Sequence, residues 1–180
     1  RKKMKTITEE YNVYDFDDLE KDDELCEKIH QKFWIDNGDN INPWADEILD
    51  SFKKFADTLN MKFDYSLSNA EYPDRGCYIK LDTSDYHYIA PNKRAEHISS
   101  LLKDYVGNEF YYTCAALKDY ADKLIAEWNK DYSIDDFAYD IQNRMFDMWF
   151  RDNRDYFSKE SFLIHVEANE YEFDENGNLF

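Results

Sequence analysis

Between Trp44 and Leu59 the apolar side chains Trp44, Ala45, Ile48, Leu49, Phe52, Phe55, Ala56 and Leu59 recur at spacings of three and four, and after Asn60 the period changes to two. The first pattern is one stripe of a helix about four turns long, and that stripe has to be buried. Asn42 offers a side-chain acceptor to the free N–H groups of the first turn, and Pro43 suits the first helical position because it lacks only an N–H that has no partner there. In the second pattern Met61, Phe63, Tyr65 and Leu67 alternate with Lys62, Asp64, Ser66 and Ser68, while Cys77, Ile79 and Leu81 alternate with Tyr78 and Lys80. Two half-buried strands follow, and the Pro73-Asp74-Arg75-Gly76 turn joins them into a hairpin covered by the helix. The rest of the chain is read around this unit.

The chain holds 40 Asp and Glu against 22 Lys and Arg, a net charge of −18, yet 43% of its 180 residues are apolar and 18% aromatic. Disordered acidic chains are poor in aromatics, so this one is expected to fold, as a single domain over residues 1–180 with a substantial core. Such a charge repels phosphate backbones and attracts basic surfaces, which disfavours direct nucleic-acid binding. The excess is uneven: residues 1–60 and 121–180 carry 16 and 15 acidic side chains against 9 and 6 basic ones, whereas residues 61–120 are nearly balanced at 9 and 7. Cys26, Cys77 and Cys114 are odd in number, widely spaced and without a Cys-x-x-Cys pair, which fits a reducing cytosol. With no run of 18 apolar residues and no signal-peptide pattern, a cytoplasmic protein with no membrane association is expected. Met4 reads as the natural start, with Arg1, Lys2 and Lys3 an addition ahead of it.

Along the chain, residues 5–14 mix Thr, Ile, Val and Tyr and read as a strand. A helix over residues 22–36 buries Leu25, Ile29 and Phe33, and the Trp44 helix and the hairpin follow. Residues 83–92 are polar and Tyr-rich, and no periodicity places them. Ala95, Ile98, Leu101, Leu102, Tyr105 and Val106 mark the next helix; Phe110, Cys114, Leu117, Ala121, Leu124 and Trp128 mark another. Ser133 caps a third, with the stripe Ile134, Phe137, Ala138, Ile141, Met145, Met148 and Trp149. Phe162, Ile164 and Val166 alternate, as do Tyr171 and Phe173 before the Asp174-Glu175-Asn176-Gly177 turn, and both read as strands. The fold expected is α+β: a small, mostly antiparallel sheet built from N-terminal, central hairpin and C-terminal strands, packed with about five helices.

No catalytic signature appears along the chain. Cys26 and His30 stand four apart on a helix and could reach one metal ion, but two ligands are not a site, and a buried Cys beside a surface His explains them as well. The four Gly are scattered, so neither common phosphate-cradling loop is present. On the helix after Ser133, Asp140 with Arg144, Asp147 with Arg151 and Arg151 with Asp155 stand four apart, and much of that charge is expected to be neutralised locally. The runs 15–24 and 167–175 differ: the first has Lys21 alone as counter-charge and the second has none. Blocks of like charge often serve as interaction segments, so Asp17, Asp18, Glu20, Asp22, Asp23 and Glu24, with Glu170, Glu172, Asp174 and Glu175 second, are the candidate partner-binding residues. Tyr is interleaved with the acids throughout and is a residue type enriched in protein interfaces, although most of these tyrosines are expected to fill the edge of the core.

Lys5-Thr6-Ile7-Thr8, followed by Val13-Tyr14-Asp15-Phe16-Asp17-Asp18-Leu19, resembles the start of small phage and prophage proteins that begin with a Thr/Ile strand and an aromatic-x-Phe-acid-acid-Leu turn into a helix. The close, from Glu167-Ala168-Asn169-Glu170-Tyr171 through Glu172-Phe173-Asp174-Glu175-Asn176-Gly177, is similar to their usual ending, and the Trp44 helix fits the same group. The resemblance covers roughly the first 80 and last 20 residues and does not extend to the helical middle; Lys21-Asp22-Asp23-Glu24 stands where the group has a Ser/Glu/Ala-rich first helix. The group has no agreed activity or catalytic residues. The resemblance implies a mobile-element origin, and some small acidic phage proteins of this look are anti-CRISPR inhibitors.

The function expected is therefore a phage-encoded anti-CRISPR protein in the bacterial cytoplasm. It would bind a Cas9-type nuclease with its guide RNA through an acidic, DNA-mimicking surface, and block DNA binding or cleavage without a metal or other cofactor. The alternative is a non-enzymatic phage accessory protein that binds another basic host or phage protein. An enzyme is the third reading, disfavoured because no catalytic motif is present.

Overall fold

The computed structural model describes residues 12–36, 45–67, 76–103, 105 and 112–180. The α+β class is as expected, with seven α-helices and two small antiparallel sheets among the described residues. The strands do not join into one sheet: the hairpin forms a two-stranded sheet of its own, and the N-terminal strand pairs with the C-terminal one in another. The chain divides into two compact units, residues 41–154 and residues 1–40 with 155–180, where the sequence suggested one domain. Among the described residues no helix is long and apolar enough to cross a membrane.

The unit of residues 41–154 is built on the helix-then-hairpin pattern. The helix after the two in the N-terminal stretch, α3 (Ala45–Thr58), buries Ala45, Ile48, Phe52, Phe55 and Ala56. The expected cap at Asn42 and Pro43 lies outside the described residues, as does most of the turn at 73–76. Asn60 takes a left-handed conformation (φ 54°), and the Met61 N–H reaches back to Ala56 O at 2.9 Å, which ends the helix and sends the chain into β2 (Lys62–Ser66). β3 (Tyr78–Asp82) pairs with it, setting Phe63 opposite Leu81 and Tyr65 opposite Ile79. Ile79 and Leu81 are buried as their alternation requires, but the inner face of β2 runs out at Tyr65, which is 45% exposed.

The stretch that no periodicity placed forms two 3-10 turns, Ser84–Tyr88 and Pro91–Lys93. Tyr86 is the anchor there: its ring is buried and its hydroxyl donates to Leu59 O at 2.5 Å. The helices α4 (Arg94–Lys103), α5 (Tyr112–Ala126) and α6 (Ile134–Tyr156) follow. All seven stripe residues of α6, from Ile134 to Trp149, are buried. The charge pairs expected on α6 are replaced in part: Asp140 accepts from the Tyr132 hydroxyl at 2.6 Å, and the Arg144 guanidinium lies over the Tyr120 ring, 5.8 Å from its centre.

The other unit holds β1 (Val13–Tyr14), α1 (Phe16–Lys21), α2 (Asp23–Asp36), α7 (Lys159–Asn169) and β4 (Phe173–Asp174). Its core is Leu19, Cys26, Ile29, Phe162, Val166 and Phe173, with the Phe33 ring 5.3 Å from that of Phe162 and 6.0 Å from that of Phe173. Of the strand expected over residues 5–14 only β1 lies within the described residues. The strand expected at Phe162, Ile164 and Val166 is instead helix α7, capped by Ser158, whose side chain accepts from the Ser161 N–H. Phe162 and Val166 are four apart and share the buried face, while Ile164 is 65% exposed. β4 pairs antiparallel with β1, Val13 opposite Asp174 and Tyr14 opposite Phe173.

Candidate protein-binding groove

The two acidic runs meet in the unit that holds both chain ends. Asp15 caps α1 by accepting the Asp18 N–H at 3.2 Å, and this start of the helix lies beside the end of α7. α7 stops at Glu170, which is left-handed (φ 53°), and the Tyr171 N–H returns to Val166 O at 3.1 Å. That reversal carries Glu170, Tyr171 and Glu172 alongside Asp15, Phe16 and Asp17. Together with Val166 and Glu167 they line an open groove of about 480 Å³. Its lining joins five carboxylates to Phe16, Val166 and Tyr171, and no Lys or Arg is among its lining residues.

Of the ten residues expected to bind a partner, Asp17, Glu170 and Glu172 stand in this groove. Four others have local work. Asp18 closes the capping box of α1, its carboxylate taking the Asp15 N–H at 3.4 Å. Asp22 accepts the N–H groups of Glu24 and Leu25 at 3.1 and 3.0 Å and so caps α2. Asp23 forms an ion pair with Lys159, whose ammonium holds the Asp23 carboxyl below its ordinary range. Asp174 accepts the Asn176 and Asn178 N–H groups at 2.8 Å each and the Asn178 side-chain amide at 2.7 Å, and these bonds hold its carboxyl low. Glu20 is exposed on α1, and the Glu175 carbonyl accepts from Lys28 Nζ at 2.6 Å. Glu24 lines a second groove, of about 560 Å³, with Asp23, Glu27, Lys28, Gln31 and Lys159. That groove is larger but of mixed sign, three carboxylates against two lysines, so it offers a basic partner a weaker field than the first.

Asp15 and Glu167 complete the first groove but were missing from the sequence-derived set, although both belong to the same acidic runs. Their placement follows from the pairing of β1 with β4, across the length of the chain, which no local pattern reports. The Cys26 and His30 pair does not assemble a metal centre: Cys26 is buried, His30 Nε2 lies 2.9 Å from Phe157 O, and among the described residues no group of three His, Cys, Asp or Glu could hold an ion. Burial pushes the Cys26 thiol up, the opposite of what a nucleophile or thiolate ligand requires. No protein-family model, curated protein or solved structure matches this chain.

Proposed function

We propose that this protein is a phage-borne inhibitor of a bacterial defence nuclease, an anti-CRISPR protein acting on a Cas9-type effector loaded with its guide RNA. The observation that carries the reading is the groove of Asp15, Asp17, Glu167, Glu170 and Glu172, in which carboxylates from the two ends of the chain converge and no basic side chain joins the lining. The unit bearing it holds 19 Asp and Glu against 8 Lys and Arg over residues 1–40 and 155–180, so its field extends well beyond the groove itself. Effectors of this class hold their nucleic acids in positively charged channels and read a short duplex motif with Arg side chains. Carboxylates so grouped can stand where phosphates would lie in such a channel, and Phe16 and Tyr171 in the same lining give guanidinium groups a surface on which to stack.

The test is to add the purified protein to a panel of Cas9–guide complexes and measure DNA binding and cleavage at low and physiological salt. Loss of both at stoichiometric amounts, weakening as salt rises, is the expected result. Reversal of Asp17, Glu167, Glu170 and Glu172 to Lys should abolish it with the fold intact. An inhibition that survives the reversal, or its absence with every effector, overturns this reading and favours a different basic partner of host or phage.

A further inference from the structure

On the hairpin of the unit of residues 41–154, one outward N–H of β3 is taken by a side chain, while among the described residues no backbone group pairs with the outer edge of β2 at Phe63 and Tyr65. β2 and β3 pair from Lys62 with Asp82 to Ser66 with Tyr78 without a bulge. On β3 the Leu81 N–H donates to Gln142 Oε1 at 2.7 Å, away from β2, so Phe63 and Leu81 form a pair that exchanges no ladder hydrogen bonds. Pairs alternate along an antiparallel ladder, which turns the N–H and C=O groups of Phe63 and Tyr65 away from β3. Among the described residues no backbone group meets them. An edge in this state is a template for another strand, and a lone two-stranded hairpin gains from one.

The charges on the outer face select the strand. Lys62 stands opposite Asp82 and Asp64 opposite Lys80, a chequerboard in which the Tyr78 hydroxyl also reaches Asp64 Oδ2 at 3.1 Å. We propose that β2 pairs antiparallel with β2 of a second copy of this chain, about a two-fold axis at Phe63. Phe63 then meets Phe63 of the second copy in a hydrogen-bonded pair, and Lys62 faces Asp64 of the second copy twice by symmetry. Across the four strands the row reads Lys80, Asp64, Lys62, Asp82, alternating throughout. An axis at Asp64 sets that carboxylate against itself, and an axis at Tyr65 sets it against Ser66; neither continues the alternation. Opposite charges across strands stabilise a sheet and like charges destabilise it, so register follows from the pattern. The Met61 N–H is already held by Ala56 O, so the next pair contributes only the Tyr65 N–H onto the Met61 carbonyl. The overall acidity opposes association least here, because residues 41–154 carry 14 basic against 21 acidic side chains.

Sedimentation of the full chain over a concentration series should show a reversible dimer, with amide exchange at Phe63 and Tyr65 slowing as the dimer fills and exchange at Asp64 and Lys80 unchanged. Lys62→Asp and Asp64→Lys each set like charges across the axis, and each should weaken its own dimer by about tenfold or more. A 1:1 mixture of these two variants, each checked as folded by circular dichroism, places every acid of one opposite a lysine of the other and should restore association. A chain that stays monomeric, a dimer in which the Phe63 and Tyr65 amides exchange as in the monomer, or variants that do not complement one another overturns the proposal. The exchange measurement reads the unaltered chain and so decides the matter even where a variant fails to fold.

Discussion

Ser133 and Asp136 close the start of α6 reciprocally: Ser133 Oγ accepts the Asp136 N–H at 3.1 Å, and Asp136 Oδ2 accepts the Ser133 N–H at 2.9 Å. Among the described residues the helix they cap supplies more of the buried core than any other, so losing the cap should register in global stability. Ser133→Ala is expected to cost about 1 kcal/mol in urea denaturation. The Ser133 hydroxyl, which donates to Asp136 Oδ2 at 2.7 Å, and the Ser133 N–H hold the Asp136 carboxyl below its ordinary value of 3.8. A carboxylate depressed in the folded state stabilises it above the unfolded value, and that contribution disappears as pH falls through the folded value. Wild type should therefore exceed Asp136→Asn in stability at neutral pH, and the gap should close on acidification below about pH 4. A gap independent of pH would show that the carboxylate does not act as a cap.

Helix α7 makes a sharp prediction about three neighbouring apolar residues. In a strand, Phe162, Ile164 and Val166 would share one buried face; in the helix only Phe162 and Val166 do. Phe162→Ala should cost roughly 3–5 kcal/mol and Ile164→Ala less than about 0.5 kcal/mol. Equal and large losses at both positions, measured by denaturant titration, would return this segment to the strand reading.

That segment also marks where local pattern stops being informative. Residues two and four apart satisfy alternation, but Phe162 and Val166, four apart, satisfy a helix equally, and the structure settles it with the cap at Ser158. The stripe of α6 was legible because seven apolar positions over four turns fit one period only. Ile79 and Leu81 were legible because a hairpin needs only its neighbour. The pairing of Val13 with Asp174 joins residues from opposite ends of the chain, so the groove it helps to build could not be read in advance. The acidic runs themselves were visible, but not that Asp18, Asp22, Asp23 and Asp174 spend their charge on helix caps, an ion pair and a turn.

Tyr86 ties the 3-10 turn at Ser84–Tyr88 to the end of α3 through Leu59 O, and burial pushes its hydroxyl up to about 12. Tyr86→Phe leaves that carbonyl without its donor and should cost about 1 kcal/mol at neutral pH. Here the neutral form is the one the fold favours, so the stabilisation is complete below the ordinary value of 10 and is lost as pH rises toward 12. The difference between wild type and Tyr86→Phe should narrow across that window, and the tyrosine signal that Tyr86→Phe removes from the ultraviolet absorbance titration should be one that titrates late. A Tyr86 that titrates with the exposed tyrosines would contradict the buried bond.

The groove carboxylates bear a cost in the free protein that a partner would remove. Asp15, Asp17, Glu167, Glu170 and Glu172 face a shared space with no lysine or arginine among its lining residues, and like charges so placed repel. Added salt should therefore stabilise the wild-type chain by screening. Asp17→Asn with Glu170→Gln and Glu172→Gln removes most of that repulsion without touching the Asp15 cap, so it should raise thermal stability at low salt and flatten its salt dependence. The same variant should lose affinity for a basic partner, because the charges that strain the free fold are those that would meet it. Gain of stability together with loss of inhibition is the signature of a surface kept for binding. A variant that gains stability and inhibits as before would show that these charges serve only to keep the chain in solution.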